Sequence, residues 1–190
     1  MFRLKNVMTA KRKARFGRDD WITLGLNALA REGAEALTLE RLTEAAGKTR
    51  GSFYHHFADH GAFLAALGAY WLKHEVDDKV AAIDALRVSG RRREALARHA
   101  AQIDHGLERQ LRRLAAHEPA IAEVVAASDE RRIAYLVRLF RSELGLDTAE
   151  ATARARIQHC YFVGAQMVFP SATPSFQLTL QKALGAALWR

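Results

Sequence analysis

Between Thr38 and Phe57 the chain spells a helix, a tight glycine turn and a second helix, and this stretch constrains the fold more than any other. Leu39, Leu42 and Ala46 recur at helical spacing and face inward on the first helix; Phe53 and Phe57, four apart, do so on the second. The turn Gly47-Lys48-Thr49 has the length and the glycine of a helix-turn-helix. Small residues at Ala45, Ala46 and Gly47 let the two backbones approach closely. The outer face of the second helix then presents Arg50, Ser52, Tyr54 and His55, all hydrogen-bonding groups. Such a helix fits a DNA major groove about 12 Å wide, where a guanidinium grips guanine O6 and N7 together. Hydroxyls and helix N-termini fix phosphates at the same time. A helical hairpin with a merely polar surface has the same spacing, so both readings stand at this point.

The rest of the 190 residues is punctuated as helices, about nine in all, with no alternating run that reads as a strand. The expected helices run from Asp19 to Glu32, Leu39 to Ala46, Thr49 to His56, Asp59 to Leu86 and Arg91 to Ala116. Further ones run from Pro119 to Ala127, Ser128 to Leu144, Asp147 to Phe169 and Phe176 to Trp189. Gly33 and Gly47 stop helices, Thr38, Thr49 and Asp59 cap them, and Ser89-Gly90 breaks the chain. The fold class is therefore all-α. A single cysteine, Cys160, excludes an internal disulfide and any cysteine-based zinc site.

Charge is unevenly placed. Lys and Arg exceed Asp and Glu by 29 − 21 = 8, and seven of those cations lie in the first 18 residues with no acid among them. They are Arg3, Lys5, Lys11, Arg12, Lys13, Arg15 and Arg18; the body that follows is nearly neutral. A basic leader on a balanced body suggests an arm that meets a polyanion, although a solvated tail has the same composition. No apolar stretch resembles a signal peptide, and the strongest apolar run, Ala62 to Leu72, is far shorter than a membrane span. The expectation is a soluble cytoplasmic protein without membrane contact.

At these residues the sequence resembles the TetR/AcrR family of transcriptional regulators. The resemblance covers about residues 18 to 64: Gly33 after the first helix, Thr38-Leu39, the Ala46-Gly47 turn, and above all Gly51 through Phe57. Weaker family-like features follow in Asp129-Glu130-Arg131-Arg132 and Gly145. The resemblance implies a homodimer in which each chain has a basic arm (residues 1–17), a three-helix DNA-binding domain (18–60) and a C-terminal domain (61–190). That last domain dimerises through its last long helices and often holds a small-molecule effector. Carried onto this sequence, Arg50 and Gly51 fall where base edges are met, and Thr38, Ser52, Tyr54 and His55 on phosphate-contacting positions. Lys48 and Thr49 of the turn and His60 complete the expected DNA-binding set, whereas Phe53, His56 and Phe57 hold the domain together. Three positions depart from the family pattern. His60 stands where a phosphate-binding lysine is usual, Thr43 replaces an alanine, and Lys48 replaces a common valine. The Thr43 hydroxyl therefore needs a local backbone partner.

The implied partners are double-stranded DNA carrying a palindromic operator, a second copy of the chain, and a small-molecule effector of unknown identity. The dimer seam is expected on Ile133, Val137, Phe140 and Leu144, with Ala151, Ala155, Phe162, Val163 and Gly164 from the following helix. An intramolecular core produces the same stripe. An effector pocket would draw on Tyr70, Trp71, His74, His99, Arg109, His159, Tyr161 and Gln166, aromatic walls with a few polar groups. The mechanism implied is a ligand-driven population shift away from the DNA-binding arrangement, chiefly repression.

An enzyme is disfavoured, and no catalytic, metal or cofactor residues are assigned. Ala46-Gly47-Lys48-Thr49 imitates the end of a P-loop, but Leu42 stands where its first glycine belongs. His56 and His60 have metal-like spacing but no acidic third ligand, and His159 and Cys160, being adjacent, point about 100° apart on a helix. A helical adaptor and a sequence-independent nucleic-acid-compacting protein remain as rivals.

Overall fold

The computed structural model describes residues 16–86, 91–103 and 105–190. Among these the secondary structure is helical, and it falls into two packed clusters. The basic leader lies outside the described residues up to residue 15, as does the expected Ser89-Gly90 break.

Helix α1 (Arg18–Glu32) opens with Asp19 and Asp20 in its first turn, where the helix dipole favours acids, and Asp20 accepts a bond from the Gly17 N–H at 2.7 Å. It buries Trp21, Ile22 and Leu29. A short 3₁₀ turn (Ala34–Leu37) leads to α2 (Leu39–Ala46), and α3 (Arg50–Tyr54) follows the Gly47 turn. Asp59 caps α4 (His60–Trp71), its side chain accepting from the Ala62 N–H at 2.7 Å. A Cβ on Gly25 would lie 2.6 Å from Phe63 and 2.9 Å from Leu67, so the glycine lets α1 and α4 touch.

The helix expected from Asp59 to Leu86 is interrupted. After α4 the chain makes a π-helical segment (Leu72–Asp77), then α5 (Asp78–Asp84). Leu64, Gly68, Leu72, Val76 and Val80 recur every four residues, slightly longer than an α-turn. A turn closing i→i+5 resets that drift and keeps Leu72 and Val76 buried.

The expected helix from Arg91 to Ala116 is two, α6 (Arg91–Gln102) and α7 (His105–Leu114). In contrast, the two expected between Pro119 and Leu144 are one 26-residue helix, α8, with Pro119 in its first turn. Ser128 is buried inside it rather than capping anything. Gly145 ends α8, Asp147 caps α9 (Thr148–Val168), and Thr173 caps α10 (Pro174–Leu188).

One core runs from Trp21 through Phe53, Phe63 and Leu67 to Leu111 and Ile121, binding α1–α4 to α7 and the start of α8. The second joins Ile83, Tyr135, Leu139, Phe140, Ala151, Ala155 and Trp189. There Trp189 stacks on Phe140 at 4.3 Å and donates its indole N–H to Gln158 at 3.2 Å. This corrects the expected seam: Phe140, Ala151 and Ala155 are fully buried within one chain, where α8 packs on α9. Ile133, Val137 and Leu144 are half-buried against the same core.

Between the cores lies a buried ion network. Glu108, 1% exposed, accepts from Arg112 at 2.9 Å and Arg132 at 2.7 Å. Arg112 also binds Asp129 at 2.6 and 3.0 Å, and the His159 ring meets Asp129 at 2.9 Å. Burial pushes the Glu108 carboxyl up, but the two guanidinium groups overcome it and hold the pKa below the ordinary value. Burial likewise opposes ionisation of Asp129, and its bonds to His159 and Arg112 outweigh it, so this carboxyl is also held well down.

Candidate nucleic-acid interface

The α2–α3 pair is shaped by short-range bonds that the sequence specifies. Thr38 caps α2, its hydroxyl accepting from the Arg41 N–H at 3.4 Å. Gly47 ends α2 in the left-handed region (φ 59°, ψ 37°), where a side chain would be strained. Its N–H reaches the Glu44 carbonyl and the Lys48 N–H reaches that of Thr43, each at 3.0 Å, completing a Schellman turn. The Thr43 hydroxyl donates toward the Leu39 and Glu40 carbonyls at 2.8 and 2.9 Å, the local partner it needed. Thr49 then caps α3, accepting from the Ser52 N–H at 3.2 Å.

Aromatic packing fixes which face of α3 turns inward. Phe53 is fully buried, with its ring 5.4 Å from Trp21, 5.1 Å from Phe57 and 5.3 Å from Phe63. With Phe53 and Phe57 inside, Arg50, Gly51, Tyr54 and His55 are exposed, and Ser52 is half-buried. Tyr54 is 52% exposed although its edge touches Phe53, so its hydroxyl end stands toward solvent. From Lys48 to Phe57 the chain contains no acid. Lys48 lies over the Phe16 ring at 5.7 Å and Arg18 over Phe57 at 5.3 Å, adding cations beside the same helix. The face carries cations and hydrogen-bond donors on an α-helix, the element that a major groove admits.

Thr38, Lys48 and Thr49 are exposed next to this face. His60 is placed differently. It is half-buried, and its Nε2–H donates to the Leu37 carbonyl at 2.7 Å, tying the start of α4 to the 3₁₀ turn. The family pattern puts a phosphate contact at His60; the structure gives it a backbone partner, leaving only Nδ1 for an outside contact.

The residues expected around an effector do not converge. His99 and His159 line a cavity of about 70 Å³ that opens to solvent between α5, α6, α8, α9 and α10. The other six lie elsewhere. Trp71 is buried in the first core, Tyr70 lies against His74 with tilted rings 4.2 Å apart, and His74 pairs with Asp78 at 3.0 Å. Arg109 borders a separate hollow beneath Pro170 and Pro174, and neither Tyr161 nor buried Gln166 lines the first cavity. Phe162, expected on the seam, is a cavity wall instead. Lys79, Arg132 and Tyr135 line the cavity too and were not expected there. Arg132 belongs to the Asp129–Arg132 run, and its spacing from Tyr135 and Leu136 is the signal that could have placed Arg132, Tyr135 and Leu136 on one face; Lys79, on α5, carries no such signal.

Val163 and Gly164 are half-buried on α9, and a Cβ on Gly164 would meet nothing within 4 Å. No helix among the described residues is long and apolar enough to cross a membrane.

Comparison with known proteins agrees with this geometry. A family described as "Bacterial regulatory proteins, tetR family" matches residues 22–67. No curated protein sequence matches the chain. Among solved structures, a transcriptional regulator from Rhodococcus sp. Rha1 superposes with a TM-score of 0.74 at 17% identity, over 90% of this chain and 95% of that one. A fatty acid degradation regulator from Bacillus halodurans gives 0.66 at 16% identity, over 94% and 96%. A ketosteroid transcriptional regulator of Mycobacterium tuberculosis gives 0.63 at 16% identity, over 90% and 92%. These likenesses show a shared fold.

Proposed function

We infer that this chain, whose residues 22–67 match the tetR family of bacterial regulatory proteins, binds a palindromic operator as a homodimer and represses transcription until a small molecule releases it. Residues 18–60 read the DNA in this account, and residues 61–190 dimerise and hold the effector. The observation that carries it is α3: Arg50, Gly51, Tyr54 and His55 exposed on one acid-free face, with Phe53 and Phe57 locked behind them. Arg50 and Gly51 lie at the leading edge of the helix and meet base edges. Thr38, Lys48, Thr49, Ser52, Tyr54 and His55 supply donors to phosphates on either side.

A single α3 gives little sequence information, whereas two on a two-fold axis read a palindrome. Support for pairing comes from α9, whose outer face carries Ile157, Cys160, Gly164, Met167 and Val168. Ile157 is 53% and Val168 68% exposed, so apolar surface is left open along several turns of a long helix. The seam we propose is this stripe, with Ile133 and Val137 of α8 beside it. It replaces the buried Phe140, Ala151 and Ala155.

Selection from random oligonucleotides at physiological salt tests the reading. The expected product is a two-fold symmetric site with half-sites about 34–36 Å apart. A pool with no preferred sequence would instead identify a sequence-independent compacting protein.

A further inference from the structure

We propose that the cavity between α5, α6, α8, α9 and α10 takes an amphipathic carboxylate, its apolar body against Val76, Ile83, Leu136 and Phe162 and its anionic head against Arg132 and Lys79. This rests on the reading of the chain as ligand-responsive and names the chemistry of the ligand.

The walls are mostly aliphatic and aromatic, so the body of the ligand must be apolar. Arg132 sets the other end. Its Nη1 donates to Glu108 at 2.7 Å, and its guanidinium lies over the Trp71 and Phe162 rings at 5.6 and 5.1 Å. Its Nη2 is buried with no hydrogen-bond partner among the described residues. A buried donor left unmade costs free energy, and an acceptor arriving in the cavity recovers it. Lys79 lines the same cavity and makes no ion pair among the described residues. His99 reports the local field: burial, then the positive charges of Lys79 and Arg132, favour its neutral ring, and only the weaker effect of Glu108 opposes them. Glu75 also lines the cavity but does not figure among the charges acting on His99. The head group therefore belongs at the Arg132–His99 end, and a negative one fits it.

The test uses the full chain and three probes sharing one body: 4-butylbenzoate, 4-butylbenzyl alcohol and 4-butylbenzylamine. Calorimetric titration should show the carboxylate binding about tenfold or more tighter than the alcohol, with the amine weakest. Lys79→Gln, at an exposed position, should weaken the carboxylate several-fold and leave the alcohol unchanged, with the melting temperature of the free protein unmoved. Arg132→Gln should weaken it further, but it also loosens Glu108, so Lys79→Gln decides. Equal affinity for carboxylate and alcohol, tighter binding of the amine, or no binding of any probe each overturns the proposal. Operator affinity is measured in parallel. If the carboxylate binds and operator affinity does not move, the cavity chemistry stands and the ligand-response reading falls. If no probe binds while a selected operator does, the cavity chemistry falls and the DNA reading stands.

Discussion

Arg50 is the first residue of α3, exposed, with no acid within reach on its own helix to neutralise it. A guanidinium there is free to take a guanine edge through two parallel bonds, which a phosphate contact does not need. Arg50→Ala should therefore flatten preference at one operator base pair by about 1–3 kcal/mol. Binding to competing random DNA should fall much less; equal losses on both would assign Arg50 to the backbone. A different residue-scale prediction concerns acid. Asp129 and Glu108 both titrate below their ordinary values in the folded chain, so each releases its proton more readily folded than unfolded. Their contribution to stability is thus complete above about pH 4, the unfolded carboxylate value, and is lost as pH falls through the folded pKa. Asp129→Asn should lower the urea midpoint at pH 7 and flatten its decline below pH 4. A variant whose acid limb runs parallel to the parent would show that Asp129 does not carry the linkage.

At the scale of elements, the N-terminal helices were legible because their signals act over three or four residues. The Thr38 cap, the Gly47 turn and the Thr49 cap each form a bond within that distance, so the residues that specify the turn also build it. The later helices were less legible because tertiary burial decides them. Ser128-Asp129-Glu130 has the composition of a helix start, yet Ser128 is buried mid-helix and Asp129 turns toward Arg112 and His159. The apolar stripe of α8 and α9, expected as the dimer seam, marks a packing surface by its spacing. Periodicity could not say whether the partner helix belonged to the same chain, and for Phe140, Ala151 and Ala155 it does. What remains outside is the Ile157–Val168 face, and the prediction for it follows. Ile157→Glu should convert dimer to monomer in sedimentation equilibrium, because two copies of the charge would meet across a two-fold axis. The helix content should not change, since Ile157 makes no part of either core. A variant that sediments as the parent does would move the seam elsewhere.

Across the whole molecule, charge and connectivity run in one direction. The helical path that begins at His60, tied to Leu37 just before α2, continues through the π-helical segment into α5. Val76 and Ile83 on that continuation are cavity walls, so in the proposed account a ligand in the cavity acts on the path that starts at His60. The electrostatics divide differently. Of the net +8, six positive charges lie in residues 1–15, and removing them leaves 8 − 6 = +2 on the rest of the chain. A body so nearly balanced has little long-range pull on a polyanion, so nonspecific attraction must come chiefly from the leader. Each phosphate that a leader cation neutralises adds roughly 0.9 to the steepness with which log K falls against log salt concentration. In the proposed account base discrimination resides in α3 and does not pass through those contacts. Deleting residues 1–15 should accordingly shallow the salt dependence, by up to roughly five per protomer if nearly all six cations engage. The ratio of operator to random-DNA affinity at fixed salt should stay within about twofold, since the deletion touches no base contact. Fluorescence anisotropy over a salt series checks both numbers. A slope unchanged by the deletion would mean that the leader stays in solvent when DNA is bound.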